Sequence, residues 1–353
     1  MISLYGEAMK FIDKKSPVLV TGATGYVAGC LVEELLKLGL TVNAAVRDKK
    51  SESKLKYLNE LAKVLPGKIN YFQSDLLHDA SYDDAIADCE LVFHTASPFS
   101  FKVEDAQRDL LDPAILGTRN VLASANREKS VKRIVLTSSV AAIIGDNKDS
   151  LAMPNLEITE EFWNTTSSLS HRPYSFSKVT AEKEAWRLRK QQVRWDLVTI
   201  NPTFVMGPGI NPSGTSESFD IFRSFLNGDS RIGLPDYKIA CVDVRDVAKA
   251  HVKAGFTPSA SGRYLISGHN SGTIEIGEIL KKLDPSLVIG NKTLPKWFLW
   301  LIAKRINSTR KEIATSIGYP FNVVNLKSMN DLNMEYLPLE KTISDWLCQL
   351  KES

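Results

Sequence analysis

Pro17-Val-Leu-Val-Thr21-Gly22-Ala-Thr-Gly25-Tyr-Val-Ala28-Gly29 decides the fold. Its first half is a short apolar run of the kind that forms a parallel strand buried on both faces. It passes directly into glycines. Residues 30–38 then carry apolar side chains at 31, 32, 35, 36 and 38 before Gly39 stops the helix. Strand, glycine turn and helix in that order make a phosphate-binding turn. Glycines let the backbone approach a pyrophosphate, and the first helical turn offers free N–H groups at the positive end of the dipole. A tight turn with nothing bound is the plainer alternative, and the flanking elements argue against it.

The same rhythm continues outward. Residues 41–46, 69–74, 91–97, 134–139, 197–201 and 239–243 read as further strands, and 81–87, 105–126 and 174–192 as helices. Repeated βα units mean an α/β chain with a doubly wound parallel sheet of about seven strands, the Rossmann type. Residues 14–206 with 238–256 are assigned to this dinucleotide-binding domain. Residues 207–237 and 257–353, where the rhythm is lost, are assigned to a smaller C-terminal substrate-binding lobe. The turn-rich segment 207–216 reads as a mobile loop over the rim.

Composition bounds the function. With 353 residues, 43% of them apolar and 24% charged, the chain has an ordinary globular make-up and room for a large core. A net charge of +3 without an obvious basic run argues against nucleic acid as a partner. Cys30, Cys89, Cys241 and Cys348 are scattered, which predicts free thiols in a reducing compartment. The five histidines show no ligand spacing, so no metal is expected. Residues 1–15 lack the pattern of a signal peptide, and the most apolar stretch, 294–303, is too short to span a bilayer. A cytoplasmic protein without a membrane partner is expected, as a monomer or homodimer, with Trp297, Trp300 and Leu301 packed inside the lobe.

Ligands of doubly wound sheets bind at the carboxyl ends of the strands. Candidate cofactor contacts are therefore Thr21, Gly22, Thr24, Gly25, Tyr26 and Val27 in the turn, and Arg47 and Lys54 beyond the second strand. Asp75 and Leu76 follow the third strand, Thr95, Ala96 and Ser97 the fourth, Thr137 the fifth, and Pro202, Thr203 and Val205 the sixth. Asp75 can reach an adenine edge or cap the next helix. Arg47 suits the 2′-phosphate of NADP, although it can also pair with Asp48; NADP(H) is favoured, with NADH the weaker alternative. Candidate substrate contacts are Phe99, Val140, Ala141, Phe204 and Met206.

Tyr174-Ser175-Phe176-Ser177-Lys178 places a phenol and an ammonium four residues apart in a stretch that favours helix, so both share a face. A lysine cation beside a tyrosine favours the phenolate, which eases proton exchange near neutral pH. Such a pair can protonate a carbonyl oxygen as hydride reaches the carbon. Ser139 can donate to the same oxygen, and Ser138 is the alternative donor.

Taken together, Thr21-Gly22-x-x-Gly25-x-x-Ala28, Thr137-Ser138-Ser139 and Tyr174-x-x-x-Lys178 resemble the extended short-chain dehydrogenase/reductase superfamily. Asp243-Val-Arg-Asp246 and Gly262-Arg-Tyr264 are similar to that group's second half. His94-Thr-Ala-Ser-Pro-Phe99 and Val46-Arg47-Asp48 resemble its dihydroflavonol-reductase-like branch. The resemblance implies NADPH-dependent reduction of a small carbonyl substrate, with Ser139, Tyr174 and Lys178 catalytic and Arg47 on the 2′-phosphate. Ala28 stands at the third glycine position, and His171-Arg-Pro precedes Tyr174 where cinnamoyl-CoA reductases carry another pattern. The apolar run Ala141, Ala142, Ile143 and Ile144 suggests a pocket wall suited to a general aldehyde or ketone. An NAD-dependent sugar-nucleotide epimerase on the same fold is the alternative. A non-catalytic dinucleotide sensor is disfavoured because Tyr174 and Lys178 are both present.

Overall fold

The computed structural model describes residues 10–97, 103–212, 217–306 and 308–352. Its strands of three residues or more, among the described residues, are β1 (Val18–Thr21), β2 (Thr41–Val46), β3 (Lys68–Gln73), β4 (Leu91–His94), β5 (Arg133–Thr137), β6 (Asp196–Pro202), β7 (Phe204–Met206), β8 (Lys238–Asp243), β9 (Gly262–Ile266) and β10 (His269–Gly272). Helices of ten residues or more are α1 (Tyr26–Lys37), α2 (Glu52–Val64), α3 (Asp112–Arg127), α4 (Pro173–Arg189), α5 (Glu217–Leu226), α6 (Val244–Phe256), α7 (Thr273–Leu283) and α8 (Leu339–Glu352).

Seven strands form one wholly parallel sheet in the order β9-β6-β5-β4-β1-β2-β3. The direction of winding reverses between β1 and β4, which opens a crevice at their carboxyl ends. Side-chain alternation divides the core into two layers. Val18, Val20 and Phe93 point to the face covered by α1, α2 and α6. Leu19, Val92 and Ile134 point to the face covered by α3 and α4. Both faces are covered, so the central strands are mostly apolar, and the polar residues they carry are buried with them.

One strand differs from the sequence expectation. Residues 239–243 do not supply the seventh strand; β8 instead pairs with β10 (antiparallel) and β7 (parallel) in a separate sheet. The seventh place belongs to β9, within the segment assigned to the smaller lobe. Both runs are apolar and short, and periodicity says that a run is buried but not which sheet receives it.

The small sheet packs with α5, α7 and α8 around a third core holding Met206, Phe222, Cys241, Ile276, Ile343 and Trp346. The Phe222 ring stacks on Trp346 at 4.1 Å. Against expectation, the helix Lys296–Ile302 buries only Leu299 fully, and Trp297 and Leu301 remain 66% and 59% exposed.

Arg133, fully buried at the start of β5, makes two bonds of 2.9 Å to the Asp196 carboxylate at the start of β6. Its remaining N–H groups donate to the carbonyls of Ala254, Thr257 and Ala260, which lead from α6 into β9. Such a pair is tolerated because every donor is satisfied. Asp196→Ala leaves the guanidinium uncompensated, and urea unfolding is expected to show a loss of about 3–5 kcal/mol.

Candidate functional site

The glycine turn follows β1. Gly22 sits at φ +64°, and a Cβ there would meet the Ala96 Cα and Cβ at 3.0 Å, so this position takes only glycine comfortably. Gly25 caps α1 with no side-chain bond, and the first turn carries no acidic residue. The first amides of a twelve-residue helix are thus left without a carboxylate over them, as an anion requires. Ala28 is buried against the sheet. Gly29 has a packing reason of its own, because a Cβ there would meet the Ile210 side chain at 2.6 Å.

Thr21 and Tyr26 are occupied within the protein. The buried Thr21 hydroxyl accepts from the amides of Thr95 (3.1 Å) and Ala96 (3.0 Å) and meets His94 Nδ1 at 3.0 Å. It locks the end of β4 beside β1. The Tyr26 hydroxyl donates to the Gly207 carbonyl, and its ring stands edge-on to Phe219 at 5.1 Å, tying the turn to the end of β7 and to α5. Thr24 is exposed and Val27 half-buried at the same turn.

At the end of β2, Arg47 and Lys54 are exposed and have no ion pair among the described residues; Arg47 does not bind Asp48, whose carboxylate accepts from the Lys50 amide. The Asp75 carboxylate accepts from the Leu77 amide at 2.8 Å, and Leu76 packs toward Gly117. Thr137 lines the cavity beside Ser97 and Lys178, but its hydroxyl meets His251 Nε2 at 2.7 Å, while His251 Nδ1 donates to the Val247 carbonyl. Burial pushes His251 down to about 4 and His94 to about 3, so both imidazoles are neutral. Thr203 donates both its amide and hydroxyl to the Ile266 carbonyl, Pro202 is buried at the end of β6, and Val205 is half-buried on β7.

Helix α4 brings the two central candidates together. Lys178 Nζ lies 5.5 Å from the centre of the Tyr174 ring and donates to Ser97 Oγ at 2.9 Å. Burial pulls its ammonium down to about 8. Tyr174 is 40% exposed, within reach of a ligand. Ser139 heads the turn Val140–Ala142, and its Oγ accepts from the Ala141 amide at 3.1 Å, which leaves the hydroxyl proton to give. Ser138 instead donates to the buried Glu182.

Other candidates fall elsewhere. Val140 and Ala141 are half-buried beside Ser139, whereas Ala142, Ile143 and Ile144 are buried. Ile143 and Ile144 belong to a core with Ile158, Leu265 and Val323, so the expected apolar wall lies behind the site. Met206 is fully buried in the third core, with Phe204 half-buried against it. Phe99 lies outside the described residues, as do 213–216 of the rim segment.

Two groups escaped the sequence reading. Glu182 continues the face of Tyr174 and Lys178 by one more turn and is 1% exposed. It accepts from Arg263 Nε (2.6 Å), Asn201 Nδ2 (2.7 Å) and Ser138, and Asn201 also donates to the Ser139 carbonyl. The spacing 174, 178, 182 was its only local signal. Asp146 binds His171 at 2.7 Å and Arg172 at 2.9 Å. Burial raises its carboxyl, but those bonds more than offset this and hold it below the usual range. The bonds fix Arg172 at φ +54°, immediately before the helix that presents Tyr174. A double-mutant cycle on Glu182→Ala and Arg263→Met should show positive coupling of roughly 0.5–3 kcal/mol in chemical unfolding, the single Glu182→Ala variant being the less stable.

Comparison with known proteins places this geometry in context. The model of the NAD dependent epimerase/dehydratase family matches residues 18–266. Cinnamoyl-CoA reductase CAD2 of Medicago truncatula is 36% identical over 339 residues, covering 95% of both chains. Anthocyanidin reductase of Arabidopsis thaliana is 35% identical, covering 75% of this chain and 80% of that one. Among solved structures, yeast methylglyoxal/isovaleraldehyde reductase Gre2 complexed with NADPH superposes with a TM-score of 0.77 at 27% identity, covering 95% of this chain and 98% of that one.

Proposed function

Because the chain belongs to the NAD dependent epimerase/dehydratase family, we propose that it reduces an aldehyde or ketone to an alcohol with Tyr174 giving the proton and NADPH preferred over NADH. It is an NAD(P)-dependent reductase of the extended short-chain dehydrogenase/reductase type, an oxidoreductase acting on carbonyl groups. The observation that carries the finer reading is the meeting of Lys178 with both Ser97, at the end of β4, and the Tyr174 ring.

The residues fit a dinucleotide. The bare N-terminus of α1 suits a diphosphate, and the Gly22–Ala96 contact lets the chain approach it. Arg47 and Lys54, exposed and without ion pairs, suit a 2′-phosphate. The bound nicotinamide supplies the hydride. The protein's own groups orient the carbonyl and deliver the proton. Ser139 holds the substrate oxygen with its free hydroxyl proton, and Tyr174 donates to the same oxygen as charge develops there. Lys178 holds positive charge beneath the phenol and binds ribose hydroxyls. Ser138 is a poor rival to Ser139 because its hydroxyl serves Glu182.

The reading is tested by following NADPH consumption with methylglyoxal, aliphatic and aromatic aldehydes, β-ketoesters, dihydroflavonols and an acyl-CoA, with NADH in parallel. Turnover is expected with NADPH preferred, and Tyr174→Phe should lower it roughly 10²-fold or more while NADPH still binds. Undiminished turnover in that variant overturns the assignment, and silence across the panel with NAD retained by the purified protein favours an epimerase.

Lys178 also sets a pH dependence. Its value of about 8 lies below the ordinary 10.5, so the cation is lost on raising pH through 8. The kcat/KM for reduction should therefore fall above about pH 8, and Lys178→Arg should displace that limb upward. In the window from about 8 to 10.5 the unfolded chain binds a proton that the folded one lacks, so this group makes stability rise with pH there.

A further inference from the structure

Helix Lys296–Ile302 shows the reverse of the usual surface pattern. Leu299 and Ala303 face inward with Ile313 and Ile317. Trp297, Trp300 and Leu301, spaced i, i+3 and i+4, lie on the opposite side at 66%, 40% and 59% exposure. Ile306, just beyond, is 44% exposed. A helix on an ordinary protein surface turns polar residues to water, so an exposed face with two indoles marks a place where something binds.

Charge indicates what binds. Between Asn291 and Lys311 the chain has six Lys or Arg and no Asp or Glu, a local excess twice the formal net charge of +3. Lys296 is engaged, donating to the carbonyls of Ala314 and Ile317. The Arg310 guanidinium lies 4.1 Å over the Trp300 ring. Lys292, Lys304, Arg305 and Lys311 are exposed and have no ion pair among the described residues. The adjoining Glu312 carboxylate is turned back onto the Thr309 amide and the Ser308 hydroxyl. Exposed indoles and aliphatic side chains on a segment whose exposed cations lack ion pairs among the described residues match the boundary between acyl chains and anionic headgroups.

We propose that this face docks the protein on an anionic membrane surface, with Trp297, Trp300 and Leu301 entering the headgroup boundary and Lys304 and Arg305, the next residues of the same segment, against the phosphates. No helix among the described residues is long and apolar enough to cross a membrane, and docking in the plane of the surface needs none. A second copy of the chain fits less well, since two faces of the same positive charge would repel.

The test is flotation of the full chain with phosphatidylcholine vesicles, with and without phosphatidylserine. Binding is expected only to the anionic vesicles, weakening as salt is raised. The charge reversal Lys304→Glu/Arg305→Glu should reduce it at least tenfold. The double change Trp297→Ala/Trp300→Ala should abolish the shift in indole emission that accompanies binding. Thermal melts confirm that these exposed substitutions leave the protein folded. No flotation, equal flotation on both vesicle types, or concentration-dependent dimers that Trp297→Ala abolishes would each overturn the proposal, the last by giving the face to a second copy.

Discussion

A buried carboxylate and a buried guanidinium hold the working parts of this protein in register. Glu182 lies on the helix that carries Tyr174 and Lys178, and Arg263 lies on the outermost strand of the large sheet. Taking either charge out of water alone would cost several kcal/mol, so each is tolerable only with the other in place. Arg263 is further held by the carbonyls of Glu160 and Phe162 and lies 3.8 Å over the Trp163 ring. Through Asn201 and Ser138, the same carboxylate fixes the backbone at Ser139. The candidate proton donor, its lysine and the serine are thus positioned by one desolvated network rather than by three separate packing solutions.

What was legible in the sequence was local. The glycine turn could be read because its meaning lies within one strand, one turn and one helix, and the helical spacing of Tyr174 and Lys178 because four residues make one turn. The hidden features join distant positions. Glu182 meets Arg263 across 81 residues, and Arg133 meets Asp196 across 63. Hydrophobicity announced burial but not location, so the Ile143–Ile144 pair was read as a pocket wall although it faces Leu265 and Val323. The same ambiguity exchanged the places of β8 and β9. Trp297 and Trp300 reversed the rule in the other direction, being apolar yet outside.

Several candidate contact residues have their hydroxyls bound within the protein. Thr21 spends its hydroxyl on the amides after β4, Thr137 on His251, and Tyr26 on the Gly207 carbonyl. Each is a polar group at a strand end or helix start whose partner is protein, as the cost of an unmet buried donor requires. The first amides of α1 carry no side-chain cap.

The strand order also governs how the chain emerges during synthesis. Six strands of the large sheet are complete by Pro202, but the seventh place waits for residues 262–266. Until those leave the ribosome, β6 presents an unpaired edge that is buried in the folded protein, and Glu182 lacks the Arg263 guanidinium. Such an edge invites pairing with other nascent chains. The growing polypeptide therefore passes through an interval of some sixty residues in which its largest sheet is unsealed, and a chaperone that shields one strand edge would act on it there.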